Sequence, residues 1–253
     1  MTQFSKACLV VHGLTGTPQN MGPLITALEK AGYRVKAPLL NGHGEGLKKL
    51  AETPWQEWYG LIARCHNELK RDSKKVFFAG LSMGSLLGLK LAEEVGNDLD
   101  GLALLGVPWK LKPLFKYLVI PGIRYTPLRW IIRSTAKNFE KSVIDPQGRE
   151  LYRSHSLARM PGTAVFQMMD MLSIVKKELA KVTQPLLMIH GAKDHLADPK
   201  GMLEIRNGVS SKKVEIVMME NSAHVLTVDY DKEAVVKKVV TFFDSLSTAE
   251  HNR

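Results

Sequence analysis

A Gly-Leu-Ser-Met-Gly motif at residues 80–84 is the strongest sign of chemistry in this chain. The apolar run 76–79 precedes it, and a helical pattern begins at Gly84. A serine on a sharp turn between a strand and a helix exposes its hydroxyl at the end of the strand, and glycines on either side let the strand and helix pass closely. We therefore predict that Ser82 is a nucleophile.

A serine hydroxyl is a weak nucleophile, so it needs a base that a third group holds in place. Two downstream residues fit these roles: Asp194 follows the apolar run 186–189, and His224 follows the apolar run 214–218. The order serine, acid, histidine is the one found with a serine on such an elbow. Because each residue comes just after a predicted strand, we expect a catalytic triad of Ser82, Asp194 and His224 at one edge of a sheet.

Other residues compete for the roles of base and acid, since the chain has eight histidines. We interpret His190, at the end of a predicted strand, as structural. His195 stands beside Asp194, on the wrong side for a base that follows the acid, and His251 lies in a polar tail. Asp198 precedes a proline and is more typical of a helix N-cap.

The loop at residues 12–18, His-Gly-Leu-Thr-Gly-Thr-Pro, joins the apolar run 7–11 to a helical pattern. A glycine-bracketed loop at a helix N-terminus presents backbone N–H groups. We predict that the amides of Leu14 and Met83 form an oxyanion hole, the latter because it follows the nucleophile. A plain turn between a strand and a helix is the alternative.

A second glycine-rich loop, residues 41–46, lacks the pattern of a phosphate-binding loop and does not open a helix as a dinucleotide site would. We interpret His43 within it as structural. No Cys/His cluster has zinc-binding spacing, so we expect neither a metal nor a cofactor. The two cysteines, Cys8 and Cys65, are too few for a disulfide framework, and Cys8 lies in an apolar run.

The elements that must position these residues follow an alternating pattern. Short apolar runs, typical of strands buried on both faces, lie at residues 7–11, 33–37, 76–79, 102–105, 186–189 and 214–218. Helical patterns lie between or after them, at residues 18–31, 55–70, 84–95, 198–208 and 230–246. This alternation predicts an α/β fold with a mostly parallel sheet flanked by helices.

The alternation breaks once, between Trp109 and Val182, where prolines and glycines separate apolar-basic stretches and no strand signal appears. We predict a helical cap there, inserted after the fourth core strand, with residues 1–108 and 183–253 forming the core and 109–182 the cap. Ligands of open α/β sheets bind at the C-terminal edge of the strands, where such a cap would lie. Surface helices without a role at the site are the alternative.

Charge is concentrated in the predicted cap. The 253 residues carry a formal charge of +10, and residues 109–160 contain eleven Lys or Arg but only three acids. The basic residues are Lys110, Lys112, Lys116, Arg124, Arg129, Arg133, Lys137, Lys141, Arg149, Arg153 and Arg159. The apolar residues among them are Trp109, Leu114, Phe115, Tyr117, Leu118, Val119, Ile120, Trp130, Ile131 and Ile132. Such a mixture on short helices predicts contact with an anionic membrane surface, although a solvated cap over an acyl pocket fits equally well.

The composition, 45% hydrophobic and 24% charged, is ordinary for a globular protein and excludes a disordered or fibrous chain. No signal segment and no stretch of roughly 18 apolar residues appears, so we expect a cytoplasmic protein, with peripheral association to a membrane left open. Because the charge is local to the cap, a basic nucleic-acid-binding protein is the weaker interpretation, and we expect no nucleic-acid partner. Oligomeric state cannot be read from the sequence.

Together these residues resemble the α/β-hydrolases of the bacterial carboxylesterase and monoacylglycerol lipase group. The resemblance rests on residues 12–18, 42–44, 80–84, 191–194 and His224, and it extends over most of the predicted core. It implies an α/β-hydrolase fold and hydrolysis of lipid-like esters through an acyl-serine intermediate, with the acyl chain under the cap. The family often has an aromatic residue where this chain has Leu14, which leaves the backbone role intact but changes the pocket.

Other activities remain open at this stage. The same triad also serves acyl thioesters, lysophospholipids and some amides. A hydrolase-like scaffold that has lost catalysis is a further alternative, but such scaffolds usually lack a triad member, and this sequence has all three.

Overall fold

The computed structural model describes residues 4–112, 122, 124–127 and 131–248. Its strands in chain order are β1 (Phe4–Val11), β2 (Arg34–Lys36), β3 (Ser73–Leu81), β4 (Gly101–Leu105), β5 (Ser134–Ala136), β6 (Arg159–Pro161), β7 (Leu186–Gly191) and β8 (Val214–Met219). Six of them form one sheet in the order β2-β1-β3-β4-β7-β8, in which every neighbouring pair is parallel. The predicted parallel sheet is therefore confirmed, and all its strands end at the same edge.

Helices cover the sheet. In chain order they are α1 (Gly22–Lys30), α2 (Leu47–Glu52), α3 (Trp55–Asp72), α4 (Met83–Val95), α5 (Phe139–Ser142), α6 (Pro146–Ser154), α7 (Gly162–Glu178), α8 (Gly201–Gly208) and α9 (Lys232–Thr248). Successive β3 residues pack into different hydrophobic clusters: Phe78 joins the cluster that contains α3 and α4, whereas Phe77 joins the one that contains α1 and α9. Because side chains alternate along a strand, the sheet is buried on both faces, as apolar runs predict.

Two predicted helix starts differ from the structure by three residues or more. The pattern at 18–31 begins as a 3-10 turn, Pro18–Met21, before α1 starts. The pattern at 198–208 becomes helical only at Gly201, because the Asp198 carboxylate first accepts a hydrogen bond from the Lys200 amide at 3.0 Å. That bond closes a turn before the helix, whose N-cap position is held by Lys200 without a side-chain capping bond, so the expectation that Asp198 caps the helix was wrong.

The segment between β4 and β7 contains strands as well as helices, so the expectation of no strand there was wrong. β5 and β6 form an antiparallel pair, and the Arg159 guanidinium donates to the Ser134 hydroxyl and carbonyl oxygens, both at 2.8 Å. Three-residue strands are too short to produce a detectable alternation in the sequence.

The last helix of this segment is part of the main hydrophobic core. Met168, Met171 and Val175 of α7 are buried in the cluster that also contains α4 residues. A boundary at residue 182 therefore separates elements that share one core, and the division into core and cap stays a prediction. Several residues that carried the prediction lie outside the described residues: Leu114, Phe115, Lys116, Tyr117, Leu118, Val119, Ile120, Arg129 and Trp130, together with His251 of the tail.

Candidate active site

Ser82 occupies a strained turn between β3 and α4. Its φ is +53°, in the left-handed region that a residue with a Cβ rarely adopts. The turn is possible because a Cβ on Gly80 would lie 2.4 Å from the Gly84 carbonyl oxygen, and one on Gly84 would lie 2.4 Å from that of Val11. Only glycine fits at both positions, and the strand, turn and helix present the Ser82 side chain at the sheet edge.

The structure brings Ser82, His224 and Asp194 together in a hydrogen-bonded chain. Ser82 Oγ lies 2.9 Å from His224 Nε2, and His224 Nδ1 lies 2.7 Å from Asp194 Oδ2. These contacts join residues that follow β3, β7 and β8, whose C-terminal ends meet at one edge. The geometry is that of a nucleophile in contact with a base, and of a base oriented by a carboxylate.

The Asp194 carboxylate is buried and fully engaged. Its Oδ1 accepts hydrogen bonds from the amides of Leu196 and Ala197, at 2.8 and 3.1 Å. Burial alone would raise the pKa of Asp194, but the charge of His224 and hydrogen bonds from His190 and His224 outweigh it and hold the pKa below its usual range. The acid is therefore ionised and can stabilise a positive charge on the His224 ring.

Two side chains brace this site without having been predicted to do so. His190 Nε2 lies 2.9 Å from Asp194 Oδ2, so the histidine interpreted as structural contacts the acid of the triad. Ser85 Oγ donates to the Gly80 carbonyl oxygen at 2.7 Å and accepts from the Leu105 amide at 3.1 Å. The spacing of four residues between His190 and Asp194 at a strand end could have indicated the first contact; no sequence signal indicates the second.

A third unpredicted residue, Asp229, holds the loop that carries His224. Its buried carboxylate accepts hydrogen bonds from the amides of Ala223, Ile144 and Asp145, at 2.8 to 3.1 Å. One side chain thus ties the residue before His224 to the start of α6 in the segment between β4 and β7. Charged acceptors make stronger hydrogen bonds than neutral ones, so this is a stiff connection.

The two predicted oxyanion donors flank the nucleophile. Met83 follows Ser82 as the first residue of α4, and Leu14 lines the same cavity as Ser82. The loop is close to the elbow, because a Cβ on Gly13 would lie 3.3 Å from the Ser82 Cβ. His12 braces the loop by accepting a hydrogen bond from the Leu40 amide at 3.2 Å, and burial with the neighbouring His43 lowers its pKa to about 3. The loop histidine is therefore neutral, while the role of the two amides stays a prediction.

A cavity of about 340 Å³ opens above Ser82 and His224. Apolar residues line much of it: Leu14, Leu81, Pro108, Leu111, Met160, Val165, Met168, Leu196 and Val225. Ligand sites are typically such concave, mostly apolar spaces with a few polar groups. Residues 135–168 supply part of the lining, so the segment between β4 and β7 contributes directly to the space next to the nucleophile.

The remaining candidate residues do not take part in the hydrogen bonds that join Ser82, His224 and Asp194. His195 lines it but does not lie between the nucleophile and the acid; burial and the nearby His224 lower its pKa. His43 is buried in ring contacts with His12 and Trp58. Within the described part of the chain, no group of three His, Cys, Asp or Glu side chains could hold a metal ion, and Cys8 and Cys65 are buried free thiols.

Comparison with known proteins assigns the family. The family model described as serine aminopeptidase S33 (Hydrolase_4) matches residues 2–231. The chain therefore belongs to that family, and it is an α/β-hydrolase esterase. Among curated relatives, it is 32% identical over 237 residues to a thermostable monoacylglycerol lipase of Bacillus sp. (strain H-257). This alignment covers 93% of this chain and 89% of the relative. The chain is 23% identical over 242 residues to a carboxylesterase of Bacillus subtilis (strain 168), covering 95% and 93%.

Solved structures show the same architecture. A metagenome-derived lipolytic enzyme superposes with a TM-score of 0.84 at 25% identity, covering 96% of each chain. The monoacylglycerol lipase of Paleococcus ferrophilus superposes with a TM-score of 0.82 at 21% identity, covering 96% of this chain and 97% of that one. The second likeness shows the fold alone. The α/β-hydrolase fold predicted from the sequence is confirmed.

Proposed function

We propose that this carboxylic ester hydrolase cleaves lipid-like esters, such as monoacylglycerols or medium-chain acyl esters, through an acyl-serine intermediate. The observation that carries the proposal is the chain of hydrogen bonds from Ser82 Oγ through His224 to Asp194, at 2.9 and 2.7 Å, beneath a mostly apolar cavity. The names of the curated relatives, a monoacylglycerol lipase and a carboxylesterase, support the same substrate class.

The residues act in a fixed order. His224 takes the proton of Ser82 as the serine oxygen attacks the ester carbonyl, and Asp194 stabilises the imidazolium that forms. The amides of Leu14 and Met83 hold the oxyanion. His224 then gives its proton to the departing alcohol oxygen, leaving an acyl-serine. His224 then takes a proton from water as the water oxygen attacks the acyl group, and returns that proton to Ser82 Oγ, which releases the acid and the free serine.

The decisive experiment is the Ser82→Ala variant, assayed on p-nitrophenyl esters of increasing chain length. Removing the nucleophile is expected to lower kcat by roughly 10⁶-fold. The matched control is Ser210→Ala, since Ser210 is an exposed serine that bonds only a backbone carbonyl. A purified, folded Ser82→Ala protein with unimpaired activity would overturn the assignment of the nucleophile.

The cavity also supports the location of the acyl chain. The side chains of Met160, Val165 and Met168 come from β6 and α7, so an acyl chain that packs on them lies under the segment predicted to be a cap. Parallel assays with glycerol monoesters and acyl thioesters separate the proposed activity from thioester hydrolysis, which shares its mechanism. Higher kcat/KM on thioesters than on oxygen esters of the same acyl chain would assign a thioesterase instead.

We further propose that the basic segment contacts anionic membranes or micelles. Tyr125 and Ile131 are 76% and 78% exposed within a segment rich in Lys and Arg, a combination suited to an interfacial surface. None of the described helices is long and apolar enough to cross a bilayer. Sedimentation with vesicles is expected to rise with anionic lipid content and to fall with salt; binding independent of both would contradict the proposal.

A further inference from the structure

The polar part of the cavity above Ser82 contains basic side chains among neutral ones. The charged or chargeable residues that line it are Lys137, Lys141, His195 and His224. Among the described residues that line this space there is no Asp or Glu. The triad carboxylate of Asp194 is buried beneath His224 and is already engaged. The cavity therefore combines an apolar wall with a polar wall of one sign of charge.

Lys137 is the central residue of that polar wall. Its ammonium donates a hydrogen bond to Thr15 Oγ1 at 2.9 Å, next to Leu14, and lies 4.1 Å from the centre of the Tyr152 ring. No carboxylate lies within 4 Å of it among the described residues. Burial lowers the pKa of Lys137 to about 7, because an ammonium with few partners is costly away from water.

Lys141 extends the charge toward solvent. It is exposed and belongs to α5, one turn after Lys137, and its backbone amide is fixed by the Asn138 side chain at 2.9 Å. The described part of the chain places no carboxylate within ion-pair distance of its ammonium. Two lysines thus supply basic groups to the polar wall, one half-buried and one exposed.

We infer that the cavity holds a cationic subsite, built from Lys137 and Lys141, for a phosphate carried by the alcohol part of the ester, so that the preferred substrate class is a lysophospholipid with a phosphate on its glycerol. The inference rests on the proposed function, since it assumes that the ester carbonyl lies at Ser82. Lysine binds phosphate as a point charge, and two lysines match the two negative charges of a phosphate monoester. The acyl chain then packs on the apolar wall, and the anion repays the cost of burying the Lys137 charge.

The test compares two water-soluble esters that differ only in the phosphate: the octanoyl ester of glycerol and that of glycerol 3-phosphate. Both are used below the concentration at which they form micelles, so that binding of the basic segment to an interface does not contribute. The wild-type enzyme is expected to have at least about a tenfold higher kcat/KM for the phosphorylated ester, as hydrogen bonds to charged groups imply. The difference should appear mainly in KM, because the phosphate is remote from the reacting carbonyl.

Substitutions at Lys137 test whether the preference for the phosphorylated ester comes from the cationic subsite. Lys137→Met keeps the length of the side chain and removes its charge, so the ratio of the two kcat/KM values should fall about tenfold. Lys137→Arg should retain the ratio. The control Lys212→Met removes an exposed charge just before β8, away from the sheet edge that carries Ser82, and should leave the ratio unchanged.

Several outcomes would overturn the subsite. One is a wild-type enzyme that hydrolyses the neutral ester as well as the phosphorylated one. Another is a Lys137→Met variant in which both esters lose activity in parallel, which would make Lys137 only a brace for Thr15 and the oxyanion loop. Inhibition by inorganic phosphate without a preference for the phosphorylated ester would assign the site to free phosphate instead. Failure of the proposed function would give a different result from failure of the subsite. An active Ser82→Ala variant would contradict the proposed function, whereas the comparison of the two esters tests only the subsite.

Discussion

The two walls of the cavity are built on different principles. The wall at the sheet edge, which carries Ser82, His224 and Asp194, is fixed by backbone packing and by hydrogen bonds that engage every polar group of the acid. The wall contributed by residues 135–168 depends on side chains: an ammonium with one hydrogen bond, and flexible methionines. The catalytic candidates and the rest of the cavity lining are therefore held in place by different kinds of interaction.

Among substitutions that keep the shape of the sheet-edge wall, replacement of the Asp194 carboxylate should have the largest effect. Asp194→Asn should lower kcat by about 10⁴-fold, because an amide favours the wrong histidine tautomer and cannot stabilise the imidazolium. The loss should be the same for neutral and phosphorylated esters, since Asp194 faces only His224 and its own braces. Steady-state kinetics on both substrates measure this. Asp198→Asn, at the rival acid, should change kcat less than twofold, and a comparable loss there would contradict the assignment of the acid.

The next effect concerns stability at the same wall. Gly84→Ala places a Cβ 2.4 Å from the backbone oxygen of Val11, which cannot move without shifting β1, so the free energy of unfolding should fall by about 3 kcal/mol. Denaturant unfolding measures the change. The control is Gly60→Ala in the middle of α3, where the nearest atom belongs to the flexible Arg64 side chain at 3.5 Å. The same substitution there should stabilise the protein by about 0.5–1 kcal/mol, and similar signs at both positions would refute the steric explanation.

A smaller effect is expected at Asp229, which connects the loop of His224 to the segment between β4 and β7. Asp229→Asn replaces one of the two acceptor oxygens with an NH2 group, which then faces either the Ala223 amide or the Asp145 amide, donor against donor. We expect a loss of about 2 kcal/mol in the free energy of unfolding and a several-fold loss of kcat, because Ala223 precedes His224. Thermal unfolding and kinetics measure the two together. Asp170→Asn, which breaks a partly exposed ion pair with Arg124, should cost at most about 1 kcal/mol.

The smallest expected effect is on stability and concerns Glu93, near the C-terminal end of α4. The Glu93 carboxylate is buried with neither oxygen hydrogen-bonded, and burial raises its pKa to about 8 despite the nearby Lys90. A carboxyl whose folded pKa lies above its unfolded value contributes stability that is full below about pH 4.5 and is lost as pH rises toward 8. Glu93→Gln, which is neutral throughout, should therefore raise Tm at pH 8 by roughly 2–4 °C and change it little at pH 5. An equal shift at both pH values would exclude titration of Glu93.

Sequence reasoning succeeded where local sterics or strand order dictate structure. The spacing of glycines around Ser82 predicts the elbow because no other residue fits there, and the strand ends before Asp194 and His224 place both at one sheet edge. The proximity of Ser82, Asp194 and His224 could be expected from topology, because parallel strands end at the same edge of the sheet.

The supporting contacts of Asp229 and Lys137 could not be predicted, because they join residues far apart in the chain. Asp229 bonds amides more than eighty residues away, and Lys137 reaches Thr15 across 122 positions. No periodicity or motif encodes such pairs; they exist only once helices of the segment between β4 and β7 pack on the core. The β5–β6 pair could not be predicted for a related reason. Each strand has only three residues and is stabilised by pairing with the other strand, so neither has a recognisable sequence pattern.

The order of strands has a consequence for how this enzyme can change over evolutionary time. The chain leaves the sheet at the end of β4 and returns at the start of β7, and these two strands are direct neighbours, with Leu102 paired to Leu186 and Leu105 to Ile189. Residues can therefore be gained, lost or recharged between them while the pairing of the sheet stays as it is. Descendants of one catalytic framework can in this way acquire new substrates by remodelling a single continuous stretch of the gene.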